Sequence, residues 1–267
     1  MHVYKGEDSC GEPSEIQPRQ SMVMGMNMDM WKYYGILHRF HAFMNPLSEH
    51  KFERIISVLD LSPGKVVDIA CGKAELLCRL AEAYDVTGIG IDISPYEVED
   101  AVKKVASRGL SERIDIREGD GSTLKIDGNS LSAAFCIGAT WVFGGLPGTL
   151  AYLHEWVKPG GLVVVGDVFR RTGFSGEQGL NTHAENTAMG EGQGLTYLYS
   201  MGNTQSDWDH YTQLTNFSAQ KYAVENPDDP DVPELLGTMA EDQRKYFEYE
   251  RDAHGWGVYI FMKPPGH

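Results

Sequence analysis

The sequence predicts an α/β protein built on a doubly wound, mostly parallel, seven-stranded sheet. Three observations carry this reading. From about residue 48, short apolar runs alternate with segments of helical period. That alternation is what a parallel sheet with helices on both faces produces. A small-residue loop, Ala70-Cys-Gly-Lys-Ala74, follows the first apolar run and opens a helix. An acid, Asp92, closes the second run 20 residues after Gly72, where a nucleotide-binding sheet places a carboxylate for ribose hydroxyls.

The elements follow in order. Phe52, Ile55, Ile56 and Leu59 recur at i, i+3, i+4 and i+7, so 48–59 reads as a helix with Ser48 as its cap. A Ser-Pro-Gly turn leads into a buried strand at 66–69. After the loop, Leu76, Leu77, Leu80, Ala81 and Tyr84 mark one helix face, and a strand follows at 86–91. Ser94-Pro95-Tyr96-Glu97 is a helix start, with serine as cap and proline at the first helical position. That helix continues through Val98, Ala101, Val102 and Val105. Further strands are expected at 114–118, 132–137 and 162–167, with a helix at 149–156. Beyond Asp167 the pattern loosens into a helix at 182–189, a strand at 195–200, polar helices at 206–224 and 232–253, and a strand at 258–262. Residues 1–47 read as a leader and lid segment, and 48–267 as one domain with a helical insertion at about 206–253.

Composition bounds the function. The 267 residues carry a net charge of −15. A surface this acidic repels phosphate backbones, which argues against nucleic acid or anionic membrane as partner. No apolar run reaches the roughly 18 residues of a membrane span, and the polar first 20 residues lack the apolar core of a signal peptide. Cys10, Cys71, Cys78 and Cys136 form no C-x-x-C pair and read as reduced thiols of a cytoplasmic protein. No metal site is expected. Met22, Met24, Met26, Met28 and Met30 alternate; a soft-metal site is conceivable, but a pliable apolar segment is the favoured reading. The 206–252 stretch holds 12 acidic and 4 basic residues. It reads foremost as a solvated helical surface, with a lid that disfavours anionic ligands as the sharper alternative.

The loop Val66-Val-Asp-Ile-Ala-Cys-Gly-Lys-Ala74 lacks the G-x-G-x-x-G spacing of dinucleotide sites. Its Asp68-x-Ala-x-Gly-x-Ala run resembles the first motif of class I S-adenosylmethionine (SAM)-dependent methyltransferases, acid-x-G-x-G-x-G. Ala70 and Ala74 replace two glycines, which puts left-handed backbone geometry there in doubt. Gly119-Asp120-Gly121, Cys136-Ile-Gly-Ala-Thr-Trp141 and Val157-Lys-Pro-Gly-Gly161 match later motifs, so the resemblance covers about residues 50–170. A narrower likeness, through Gly138–Trp141, Asp207–Tyr211, Glu225–Asp231 and Gly255–Tyr259, points to a poorly characterised branch of bacterial small-molecule methyltransferases.

The resemblance implies a Rossmann-like fold and SAM as cofactor. It implies cofactor contacts at Asp68, Ala70, Cys71, Gly72, Asp92, Ile93, Gly119, Asp120, Gly121, Ile137, Gly138 and Ala139. It also implies transfer of a methyl group to a small-molecule acceptor by in-line displacement, leaving S-adenosylhomocysteine (SAH). Candidate catalytic residues are Asp167, at the end of the fifth strand; His183, with Glu185 as a pairing acid; and Trp141, an aromatic wall beside the methyl donor. Arg170 and Arg171 are candidates for an acceptor carboxylate, and Lys73 reads as a solvated charge. Tyr33, Tyr34, His38 and His41 read as packing within the lid, and Trp208 and Tyr211 as the buried face of a helix. A homodimer is compatible with this reading. The alternatives are a catalytically silent SAM- or partner-binding protein and, further off, a nicotinamide-dependent oxidoreductase.

Overall fold

The computed structural model describes residues 27–174 and 179–266. The leader, Cys10, Met22, Met24 and Met26 lie outside the described residues. The first described helix is α1 (Met30–Leu37), followed by α2 (Glu49–Val58), β1 (Gly64–Ile69), α3 (Glu75–Ala83), β2 (Val86–Asp92), α4 (Pro95–Ser107), β3 (Ile114–Glu118) and β4 (Leu131–Ile137). Then come α5 (Leu146–Trp156), β5 (Val157–Arg170), α6 (His183–Gly192), β6 (Thr196–Gly202), α7 (Gln205–Glu225), α8 (Val232–Lys245) and β7 (His254–Met262). The seven strands form one sheet in the order β3-β2-β1-β4-β5-β7-β6. Strands β1 to β5 pair in parallel, and β7 runs antiparallel between β5 and β6. This is the doubly wound, mostly parallel sheet expected from the sequence.

β1 lies at the centre because its side chains suit burial on both faces. Val66, Val67 and Ile69 are fully buried, as a strand covered by helices on both sides must be. Val66 joins the core under α2 and α3, with Phe52, Ile55, Leu77 and Leu80. Val67 and Ile69 face the opposite core, with Leu150 and Leu153 of α5 and Phe261 of β7. A third cluster holds Met28 and the α1 residues Tyr33, Ile36 and Leu37 against Ala219 of α7 and Leu235 and Met239 of α8. The N-terminal segment and the helical insertion therefore pack on each other.

Several boundaries differ from the sequence expectation. α1 had not been assigned, although Asp29 caps it by accepting from the Lys32 backbone N–H at 2.7 Å; its Tyr33, Ile36 and Leu37 stripe is hidden in an aromatic-rich run. Ser48 stands at the start of α2 but its hydroxyl makes no capping bond. Ser94 does cap α4, accepting from the Glu97 N–H at 3.4 Å. β5 begins at Val157 rather than 162, because the Pro159-Gly160-Gly161 turn is absorbed as an irregularity in its pairing with β4. The expected 232–253 helix loosens into a wide turn at Tyr246–Glu250 before a last turn at Arg251–Ala253. No helix among the described residues is long and apolar enough to cross a membrane. The three described cysteines are all buried and free.

Candidate functional site

A cavity of about 460 Å³ opens at the carboxyl ends of β1, β2, β4 and β5, where ligands gather in a doubly wound sheet. Its floor is the loop between β1 and α3. Ala70, Gly72 and Ala74 all take left-handed backbone angles, with φ of 55°, 50° and 56°. The expectation that alanine would change this geometry is overturned: the loop keeps its glycine-like path with two Cβ atoms in place. An L-residue there costs roughly 1–2 kcal/mol, and the surroundings hold it. The Cys71 N–H donates to the Ile91 carbonyl at 3.1 Å, and the Ala74 N–H to the Cys71 carbonyl at 2.9 Å. At Gly72 a Cβ would sit 2.6 Å from the Met44 methyl, the movable end of a flexible side chain, so the left-handed angle is the firmer demand for glycine here.

Asp92 ties the loop to the second strand. One carboxylate oxygen accepts from the Gly72 N–H at 2.8 Å and the other from the Ser94 N–H at 2.9 Å. Asp68, at the end of β1, is only 4% exposed. Burial, reinforced by the charge of Asp92, pushes its carboxyl well above the usual range. Burial also raises Asp92, against the pull of its backbone donors. Two buried acids at one site favour a ligand that brings positive charge or hydrogen-bond donors. Asp120 caps the turn after β3, accepting from the Ser122 N–H at 2.8 Å. At Gly121 a Cβ would lie 2.7 Å from Ile69, so glycine keeps this wall clear.

The far wall comes from the ends of β4 and β5. Gly138 has φ of 90°, and a Cβ there would lie 2.6 Å from the Asn45 side chain. The Asn45 amide donates to the Ile137 carbonyl at 3.2 Å, bringing the N-terminal segment over this edge. Asp167 accepts from the Thr140 hydroxyl and from the Val168 N–H, both at 2.7 Å. Burial raises its carboxyl although both donors favour the charged form. Trp141 stands on the rim, 37% exposed.

The roof is long-range. Met30, Trp31, Tyr34 and His38 from the N-terminal segment and Trp208 and Tyr211 from α7 line the same cavity as Asp68 and Asp120. Tyr34 stacks on His38 at 6.3 Å, and His38 lies 5.8 Å from Tyr211. Lys73 links floor to roof. It is not a solvated charge but a buried side chain. Its ammonium donates to the His38 carbonyl at 2.9 Å and the Arg39 carbonyl at 3.4 Å, and pairs with Asp100 at 3.5 Å.

All twelve residues expected to contact the cofactor line this one cavity, as do Asp167 and Trp141. His183 does not. Its ring sits between the Tyr259 hydroxyl at 2.9 Å and the Ser200 hydroxyl at 3.2 Å, because α6 turns this face toward β6 and β7. Glu185 caps α6 through the Thr182 N–H at 2.6 Å instead of pairing with His183. Arg170 and Arg171 spend guanidinium donors on the Phe174 and His254 carbonyls, each at 2.7 Å, outside the cavity. Among the described residues no cluster of His, Cys, Asp or Glu suits a metal ion. Sequence reasoning missed Asn45, Trp256 and Glu97 as lining residues. Trp256 lay within the Gly255–Tyr259 likeness without a role assigned, and Glu97, an acid three residues after the Ser94 cap, was absorbed by the capping reading.

The comparisons with known proteins agree with this geometry. Residues 66–161 match the family described as "Methyltransferase domain". The crystal structure of a SAM-dependent methyltransferase from Geobacter sulfurreducens, in complex with SAH, superposes with a TM-score of 0.81 at 26% identity, over 87% of this chain and 98% of that one. "Uncharacterized protein YjhP" of Escherichia coli (strain K12) is 27% identical over 88% of this chain and 99% of its own length. "Phosphoethanolamine N-methyltransferase 1" of Triticum aestivum is 28% identical over 47% of this chain, which spans only 25% of that protein. The left-handed loop, the cleared glycine walls and the buried acids fit an adenosyl sulfonium such as SAM.

Proposed function

We propose that this protein, a class I SAM-dependent methyltransferase, transfers the methyl group to a small-molecule acceptor inside the roofed cavity. One observation carries the reading. The cofactor floor and the aromatic roof line the same space of about 460 Å³, within the size range of small-molecule sites. A macromolecular acceptor asks instead for an open face.

When bound, the cofactor supplies a methyl already activated on a sulfonium, so the protein's part is binding and orientation. In this reading Asp68, Ala70, Cys71 and Gly72 hold the methionyl end. Asp92 and Ile93 take the ribose, and Gly119, Asp120 and Gly121 the adenine. Ile137, Gly138 and Ala139 flank the reacting centre. Asp167 orients the acceptor: each of its oxygens keeps a lone pair beyond the one engaged by Thr140 or Val168. Its raised carboxyl suits it to hold a proton that the acceptor gives up. Trp141 forms the rim beside it. Asp167 therefore stays a candidate base, whereas His183 lies outside the cavity.

The charge of the cavity lining supports the same reading. Lys73 is the only lysine or arginine lining the cavity among the described residues, and its ammonium is engaged by two carbonyls. A phosphate-bearing acceptor, of the kind named in the wheat relative, finds no spare cation there. Neutral or cationic acceptors suit the site better.

The test is a labelled-methyl transfer screen over matched amines, thiols, phenols and carboxylates, with SAH binding by calorimetry alongside. SAH binding and transfer to at least one neutral or basic small molecule are expected. SAH binding with no transfer to any small molecule would move the protein to a silent binder, and no binding at all would overturn the assignment.

A further inference from the structure

Among the described residues, Glu97 is a buried carboxylate without a hydrogen-bond partner. It is 3% exposed, and neither oxygen has a partner there. It lies in the first turn of α4, where its own N–H, not its side chain, serves the Ser94 cap. It lines the cofactor cavity together with Asp92 and Lys73. A buried acid left unsatisfied costs far more than an exposed one, so such a group calls for a ligand that completes it.

We infer that Glu97 is a second cofactor-facing carboxylate that accepts hydrogen bonds from the ribose hydroxyls of the adenosyl group. This rests on the cofactor assignment, not on the identity of the acceptor. Asp92 already uses one lone pair of each oxygen on the Gly72 and Ser94 N–H groups. Two vicinal hydroxyls offer two donors, and Glu97 stands five residues on, at the same helix start. Lys73 cannot neutralise it by contact, because that ammonium is held by the His38 and Arg39 carbonyls and by Asp100.

The charged groups around Glu97 are Lys73 from the loop, Asp92 from the end of β2, and Asp100 and Lys104 from α4 itself. His38 faces the same cavity from the lid. Burial, outweighing the pull of Lys73, pushes the Glu97 carboxyl up to about 7. Hydroxyl donors stabilise its charged form and lower that value. Cofactor binding near neutral pH therefore releases a proton, and affinity rises as pH increases from 6 to 8.

The experiment is calorimetric titration of the full chain with SAH and with its 2′-deoxy and 3′-deoxy analogues, at pH 6 and pH 8. The comparison is between the native protein and Glu97→Gln, with Glu97→Asp as a second variant. A charge-assisted hydrogen bond predicts about a tenfold or greater loss of SAH affinity in Glu97→Gln. It also predicts partial recovery in Glu97→Asp, a smaller deoxy penalty in Glu97→Gln than in the native protein, and a flatter pH dependence. Unchanged SAH affinity with an undiminished deoxy penalty in Glu97→Gln overturns the inference. If neither variant folds, the native protein decides alone: no deoxy penalty overturns it, and a penalty that grows from pH 6 to pH 8 supports it. Failure of the native protein to bind SAH would be a different result, against the cofactor assignment itself.

Discussion

The two halves of the cavity are held together by different means. The floor is local in sequence: the 70–74 loop, Asp92 and Ser94 are fixed mainly by backbone hydrogen bonds among neighbours in the β1–α3–β2–α4 unit. The roof is assembled across the chain. Lys32 of α1 reaches Asp229 at 2.8 Å and Asp231 at 2.6 Å, 197 and 199 residues away. Glu234 accepts from the Asn27 and Met28 N–H groups, and Arg39 pairs with Glu225. Part of the negative charge of the insertion thus receives cations and N–H groups from the N-terminal segment instead of only facing solvent. The floor thus rests on contacts within about 20 residues, whereas the roof is docked by ion pairs and an apolar cluster about 200 residues apart in sequence.

The sharpest way to break this contrast is at the floor. Asp92→Ala removes the acceptor for two loop N–H groups and a candidate ribose contact. Charged hydrogen bonds are worth about 1.5–3 kcal/mol each, so SAH affinity should fall at least about a hundredfold by calorimetry. A loss under fivefold would mean the loop holds its shape without Asp92. Next comes the link between the halves. Lys73→Met leaves the His38 and Arg39 carbonyls without this donor and should cost about 1–3 kcal/mol. Hydrogen exchange should quicken across 30–41 more than across β1 and β2; uniform quickening would contradict a link specific to the lid.

A smaller effect tests the strain of the floor. Ala70→Gly should stabilise the chain by about 1 kcal/mol or less, since left-handed geometry suits glycine, with SAH affinity kept. A clear fall in melting temperature would show that the Ala70 methyl is needed for packing. The smallest effect lies in the roof. Lys32→Ala should loosen α1 modestly, in a way that added salt mimics. Lys32 holds the Asp229 carboxyl down to about 2. Its contribution is therefore full above the ordinary carboxylate range near 4 and is lost as pH falls from there through about 2. Exchange at α1 measured at pH 7 and pH 3 should differ in the native protein and differ less in the variant.

The same contrast explains what could be read from the sequence. The sheet and the loop were legible because they follow from short-range spacing: strand, small residues, helix, acid; the twelve cavity-lining positions came from the motif resemblance built on that spacing. The left-handed alanines were not, since the loop's path is held by bonds such as that from the Cys71 N–H to the Ile91 carbonyl, a partner 20 residues on. Lys73 looked solvated because nothing near it in sequence hints that the carbonyls of residues 38 and 39 come down on it. His183 looked available because its neighbours are polar, yet α6 aims it at Tyr259 and Ser200, across strands whose pairing no local pattern records. α1 is hard to read from the sequence because its buried stripe meets partners on α7 and α8, far along the chain.

β7 follows every other strand in the chain yet lies inside the sheet, between β5 and β6. During synthesis, therefore, β5 keeps an open edge and β6 has no sheet neighbour until residues 254–262 leave the ribosome. Asp167 pairs with Gly257, and Trp256 lines the cavity. An unfinished chain therefore lacks the strand beside Asp167. The exposed β5 edge is a pairing hazard in that interval, and completion of the sheet and completion of the cavity wall at Asp167 and Trp256 are one event.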